Sequence, residues 1–241
     1  MRKVISESGL VFTITKQGAF CNDSPLEYID KGEEGAVYRY QDKAIKIYHE
    51  PPRKRIVSPS LLEELKAINT NRINLPIEAL VAEKTNKNEG YITQFLEGNR
   101  EDVYFYEKQK LLEELCYLDG DFKILGKESI VIGDLRLSNY LSNQTGLYLF
   151  DCGDYYKSSI KTDTTNMNKK EFQIFFVYNL VGTRLMEEGR KQNLPDQMIT
   201  SMYRKARYEL THHKEGLIGY LEKNMQEEES LNHYVKRLIR R

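Results

Sequence analysis

The chain has 241 residues, of which 40% are hydrophobic and 30% charged, with 36 basic side chains against 36 acidic ones. This length and apolar share can fill one large core or two small ones, and they exclude a disordered chain. The charge balance supplies no general field for nucleic acid or an anionic membrane surface, and no run approaches the roughly 18 apolar residues of a membrane span.

In chain order, residues 1–22 carry short alternating runs such as Leu10-Val11-Phe12-Thr13-Ile14-Thr15, broken at Gly18, which predicts a strand pair. Tyr28-Ile29 and Val37-Tyr38 flank Gly32-Glu33-Glu34-Gly35, a strand, a glycine-bearing turn and a second strand. A further strand is predicted at Lys43-Ala44-Ile45-Lys46-Ile47-Tyr48, stopped by Pro51-Pro52. Ser58-Pro59-Ser60 opens a helix whose Leu61, Leu62, Leu65 and Ile68 share a face. Residues 77–81 and 91–96 read as a hairpin around the charged turn 83–89, and Gly98-Asn99 closes a first domain of strands with one helix. Beyond it the pattern turns helical. A helix over 106–118 stops at Asp119-Gly120, a Thr-rich linker covers 158–170, and a buried helix follows over 171–189. Residues 195–224 and 228–240 read as one or two amphipathic helices.

Four features carry chemistry. Glycines at Gly32 and Gly35 let backbone amides approach phosphate oxygens, and a plain hairpin turn also favours them. Lys46 interrupts an apolar strand, which is costly unless the ammonium snorkels at an edge or meets a carboxylate. Glu63 and Glu64, 17 and 18 residues further on, supply such carboxylates. Finally, Asp134, Asn139 and Asp151 stand at the ends of short apolar segments within residues 131–153. Each alone reads as a turn residue; together, two carboxylates and a carboxamide suit a metal–phosphate site.

In this order and spacing the four features resemble the protein-kinase superfamily, which also holds small-molecule kinases such as the aminoglycoside and choline kinases. The match spans residues 29–153, with looser correspondence to 190. The glycine loop G-x-G-x-x-G-x-V is similar to Asp30-x-Gly32-x-x-Gly35-x-Val37, with the first glycine lost, and V-A-I-K to Lys43-Ala44-Ile45-Lys46. Tyr91-Ile92-Thr93-Gln94-Phe95-Leu96-Glu97-Gly98 resembles the hinge. H-R-D-L-x-x-x-N is similar to Ile132-Gly133-Asp134-Leu135-Arg136-Leu137-Ser138-Asn139, and D-F-G to Asp151-Cys152-Gly153.

The resemblance implies an α+β, two-lobed kinase-like fold. Residues 1–97 form the ATP-binding lobe, an antiparallel sheet with one helix, and 98–241 a reduced, mainly helical lobe. ATP and Mg²⁺, with Mn²⁺ as the alternative, are the implied cofactors. Lys46 holds the α/β-phosphates and is oriented by Glu64, with Glu63 as the other candidate. Gly32, Gly35, Val37 and Ala44 line the nucleotide, Thr93 is the gatekeeper, and the backbone of Gln94 and Leu96 faces adenine. Asn139 and Asp151 ligate the metal, Asp134 takes or orients the acceptor's proton, and Arg136 neutralises γ-phosphate charge. Gly133 in place of the usual arginine argues against control by a phosphorylated activation loop. Only 18 residues separate Gly153 from Phe172, with no A-P-E motif, so the activation segment is short. The expected activity is that of a minimal serine/threonine protein kinase of bacterial type acting on a protein substrate. The alternatives are a small-molecule kinase and a pseudokinase scaffold that binds nucleotide or a protein partner. Three scattered cysteines, no apolar signal region and no membrane span lead to a cytoplasmic protein, or a secreted bacterial effector acting in a host cytosol. No nucleic acid is expected as a partner.

Overall fold

The computed structural model describes residues 1–50, 56–133, 135, 139–159 and 163–239. The protein is α+β and divides into two compact units: 1–70, 74–97 and 150–157 make the first, and 71–73, 98–149 and 158–241 the second. Among the described residues, no helix is long and apolar enough to cross a membrane.

In the first unit nine strands form one antiparallel sheet. They are β1 (Arg2–Ser6), β2 (Val11–Thr15), β3 (Gly18–Cys21), β4 (Ser24–Pro25), β5 (Glu27–Lys31), β6 (Gly35–Tyr40), β7 (Lys43–Tyr48), β8 (Glu78–Ala82) and β9 (Asn88–Gln94). Their order across the sheet is β4-β3-β2-β1-β8-β9-β7-β6-β5, which places β7 between β6 and β9. Tight turns make this possible: Asn22 and Asp23 adopt φ of 47° and 65° between β3 and β4, the left-handed pair a two-residue hairpin demands. One face of the sheet carries the core of Val4, Phe12, Cys21, Ile45, Ile47, Leu80 and Ile92. Helix α1 (Pro59–Lys66) starts where Ser58 Oγ accepts the Leu61 amide at 3.2 Å, and it buries Leu61, Leu62 and Leu65. The second hairpin strand starts earlier than 91, because β9 begins at Asn88.

The second unit is mainly helical: α2 (Lys108–Lys127), α3 (Thr164–Phe175), α4 (Thr183–Lys191), α5 (Asp196–His212), α6 (Gly216–Asn224) and α7 (Leu231–Ile239). Short strands β10 (Ile130–Val131), β11 (Tyr140–Asn143) and β12 (Gly146–Leu149) lie between α2 and α3, with β11 and β12 paired antiparallel. Strand β13 (Tyr156–Lys157) belongs to the first unit.

Three sequence expectations change here. Asp119-Gly120 does not end α2. The helix runs on to Lys127 because Asp121, Phe122 and Leu125 are buried, and the Asp121 carboxylate accepts the amides of Asn71, Arg72 and Ile73 at 2.9, 2.6 and 3.2 Å. The linker over 158–170 is cut short by α3, whose first turn is capped by Asp163 accepting the Asn166 amide at 3.1 Å. The buried helix over 171–189 is part of a longer one: α3 passes through a π-helical stretch, Phe176–Gly182, into α4. That stretch buries Phe176, Val177, Leu180 and Val181, and the apolar pattern read from the sequence runs across it, from Phe172 and Phe175 of α3 to Leu185 of α4.

Candidate active site

Strand register assembles one face of the sheet from residues scattered along the sequence. In β7, Ala44, Lys46 and Tyr48 point away from the face that Ile45 and Ile47 give to the core. Lys46 is paired across with Val37 on one side and Tyr91 on the other; Ala44 is paired with Thr93, and Tyr48 with Gly35. Gly35, Val37, Ala44, Lys46 and Thr93 therefore share a face of β6, β7 and β9. Gly35 is required there by packing, since a Cβ would stand 2.9 Å from Tyr48 Cα.

At the centre of this face is Lys46, a residue only 8% exposed. Its ammonium donates to Glu34 Oε2 at 2.5 Å and to the carboxylate of Asp151. Asp151 comes from 105 residues further along and also accepts the Tyr91 hydroxyl at 3.0 Å and the Gly153 amide at 3.2 Å. Its backbone is left-handed, with φ of 68°. Most side chains avoid that region, and strain of this kind gathers at functional sites. Burial alone would lower the Lys46 pKa, but Asp151 and Glu34 outweigh it and hold the ammonium above its ordinary value. Burial would likewise raise Asp151, and Lys46 with the Gly153 and Tyr91 donors brings it below the ordinary carboxylate value. Glu34 behaves oppositely. Its desolvation, with Asp151 and Asp154 as like charges, exceeds the help from Lys46 and pushes its pKa up. Cys152 is buried, and its thiol is pushed up to about 12, so it is no nucleophile at neutral pH.

Glu64 is not the partner of Lys46. The leucines of α1 take its inward face, which leaves Glu63 and Glu64 exposed; Glu64 pairs with Lys157, and Glu63 with Lys66 at 2.7 Å. The carboxylate that meets Lys46 comes from the turn between β5 and β6. That turn closes on itself through Gly32 N–H to Gly35 O at 2.9 Å, and the His49 amide donates to Glu34 O at 2.8 Å. The Gly32 amide is thereby spent on the turn. At the end of β9, Thr93 is buried while the Gln94 carbonyl accepts Asn74 Nδ2 at 2.9 Å; Leu96 lies beyond the strand and is half-buried.

Asp134 and Arg136 lie outside the described residues. Asn139 is buried in the second unit, immediately before β11. The approach to Asp134 is anchored within the same unit by Asn168 of α3, which is fully buried. Its Nδ2 donates to Ile130 O at 2.9 Å, and its Oδ1 accepts the Ile132 amide at 2.9 Å. Glu34, Tyr91 and Asn168 were not singled out by the sequence. Glu34 had a visible signal, an acid between the two loop glycines; Tyr91 and Asn168 had none, because their roles depend on register and tertiary contact.

No protein-family model matches this chain, and no curated protein does either. Among the described residues, no group of three or more His, Cys, Asp and Glu side chains is placed to hold a metal ion. Asp151 and Asn139 nonetheless offer the hard oxygen donors that Mg²⁺ prefers.

Proposed function

We propose that the chain is an ATP- and Mg²⁺-dependent phosphotransferase with a two-lobed protein-kinase-like fold, transferring the γ-phosphoryl group to a protein hydroxyl. The observation that carries this reading is the half-buried Lys46–Asp151 ion pair, which joins residues 105 positions apart that the sequence motifs had each nominated separately. Lys46 supplies a fixed positive charge for phosphate oxygens, on a face whose neighbours Val37, Ala44 and Thr93 offer an adenine ring mostly apolar contact. Asp151 is the residue of this cluster that would hold Mg²⁺, which when bound neutralises charge on the transferring group. Asn139, Asp134 and Arg136 keep the metal-ligand, proton-acceptor and charge-neutralising roles that the resemblance gives them, and residues 1–97 and 98–241 the two lobes.

The test is label transfer from ATP with Mg²⁺, using the full chain, general protein acceptors and a panel of small hydroxyl compounds. Transfer to protein is expected, falling by about 10²–10³-fold in Lys46→Met and in Asp151→Asn, as when a charge-stabilising group is removed from a transition state. Transfer to a small hydroxyl compound alone would move the acceptor to the small-molecule class. Nucleotide binding without any transfer would leave a scaffold in place of an enzyme.

A further inference from the structure

Resting on the nucleotide site just proposed, we infer that Glu34 is an internal stand-in for a nucleotide phosphate: its carboxylate sits on Lys46, and a phosphate must displace it to bind. Three observations carry this. Glu34 Oε2 accepts a hydrogen bond from Lys46 Nζ at 2.5 Å while Asp151 accepts another, so the ammonium already faces two anions. Among the described residues one lysine faces two carboxylates, and a tetrahedral anion arriving at the same Nζ competes with them for its protons. Asp151 is tied down by Tyr91 and the Gly153 amide as well as Lys46. Among the described residues the Glu34 side chain is held by Lys46 alone, so Glu34 is the anion more readily displaced.

The second observation is where Glu34 comes from. It lies in the glycine-bearing turn between β5 and β6, the segment whose glycines the kinase resemblance sets against the nucleotide. The third is the seat itself. The carboxylate packs against the bare Cα of Gly153, where a Cβ would stand 2.5 Å from Glu34 Cδ. Only glycine at 153 admits Glu34 to Lys46. Gly153 does not adopt positive φ, so alanine is allowed by its backbone, and the group it would push aside is the end of a flexible side chain.

If the seated form dominates, measured affinity is reduced by the fraction of open molecules. The test is calorimetric titration of the full chain with ATP and Mg²⁺, comparing wild type with Glu34→Gln, Gly153→Ala and Glu33→Gln. Glu34→Gln removes the competing charge, and Gly153→Ala evicts the carboxylate without removing it. Both are expected to lower Kd by about tenfold, the gain when roughly one molecule in ten was open. Glu33→Gln removes an equal charge from the same turn and is expected to change Kd by less than about twofold, screened as an exposed group. Equal gains in Glu34→Gln and Glu33→Gln would reduce the effect to general charge and overturn the inference. Binding by wild type that weakens in Glu34→Gln would overturn it too, making Glu34 a residue that positions Lys46 while the nucleotide site stands. Absence of binding in wild type and in both unseated variants would overturn the nucleotide site itself. Should Glu34→Gln fail to fold, Gly153→Ala with Glu33→Gln decides alone.

Discussion

Both units bury a knot of charge, and the two knots are balanced in opposite ways. In the second unit Glu114 is fully buried and accepts from Arg72 Nη2 at 3.0 Å, Lys110 Nζ at 2.6 Å and the Leu147 amide at 3.0 Å. Two cations and a backbone donor converge on one carboxylate. Burial would raise its pKa, yet the hydrogen bonds from Arg72 and Lys110 bring it below the ordinary value. In the first unit one ammonium faces Glu34 and Asp151, and Glu34 is pushed up, not down. The Glu114 knot is satisfied within itself and fastens α2 to β12 and to residues 71–73. Among the described residues the Lys46 knot carries more carboxylates than cations, together with a left-handed aspartate, features that make sense where a ligand exchanges with a side chain.

The sharpest way to break this comparison is Glu114→Ala. It strands Arg72 and Lys110 without their anion, and the expected loss is about 3–5 kcal/mol, as for breaking one side of a buried pair. The denaturant midpoint reads it, while nucleotide affinity of the remaining folded protein is expected to hold. The same group sets a pH dependence. Its folded-state pKa lies below the unfolded value of about 4.3, so its contribution is complete above that value and is lost as pH falls through the lower folded one. Glu114→Gln should flatten the stability profile in that acid window, read by thermal melts across pH. An unchanged acid slope would show that the knot does not hold the fold.

Much of the first unit was legible because strands announce themselves by alternation and glycine turns. β7 runs over Lys43–Tyr48 as its pattern predicts, and Ser58 caps α1. Lys46 and Asp151 were legible as chemistry, since a lysine in an apolar strand demands a partner. The partner's identity was not. Glu64 fitted the spacing, but the leucines of α1 fix which way the helix faces, and that is decided by packing. In the second unit Asp119-Gly120 read as a stop because local propensity favours one; the buried Asp121 overrides it by capping the amides of residues 71–73. Charged groups held by tertiary contact leave no periodic trace in a sequence.

A smaller effect is expected at Asn168. Asn168→Leu leaves the Ile130 carbonyl and the Ile132 amide without partners, and stability is expected to fall by about 2 kcal/mol, within the range for unsatisfied buried groups. Since those atoms lead into Asp134, transfer should drop while ATP affinity, governed by the Lys46 knot, holds. A parallel fall in both would mean that the anchor supports the fold alone.

The smallest effect is expected at Glu64, and it sharpens the comparison most finely. Its pair with Lys157 is exposed on both sides, with side-chain accessibilities of 43% and 42%. Such pairs contribute at most about 1 kcal/mol and are screened by salt. Glu64→Ala should therefore move stability by less than about 0.5 kcal/mol and leave both ATP affinity and transfer within about twofold. The contrast with Glu34 is what matters. If the orienting carboxylate of Lys46 were Glu64 during turnover, its loss would cut transfer severely and Glu34 would be incidental. A silent Glu64→Ala beside a tighter-binding Glu34→Gln places control of the lysine in the turn between β5 and β6, and a severe loss of transfer in Glu64→Ala returns it to α1.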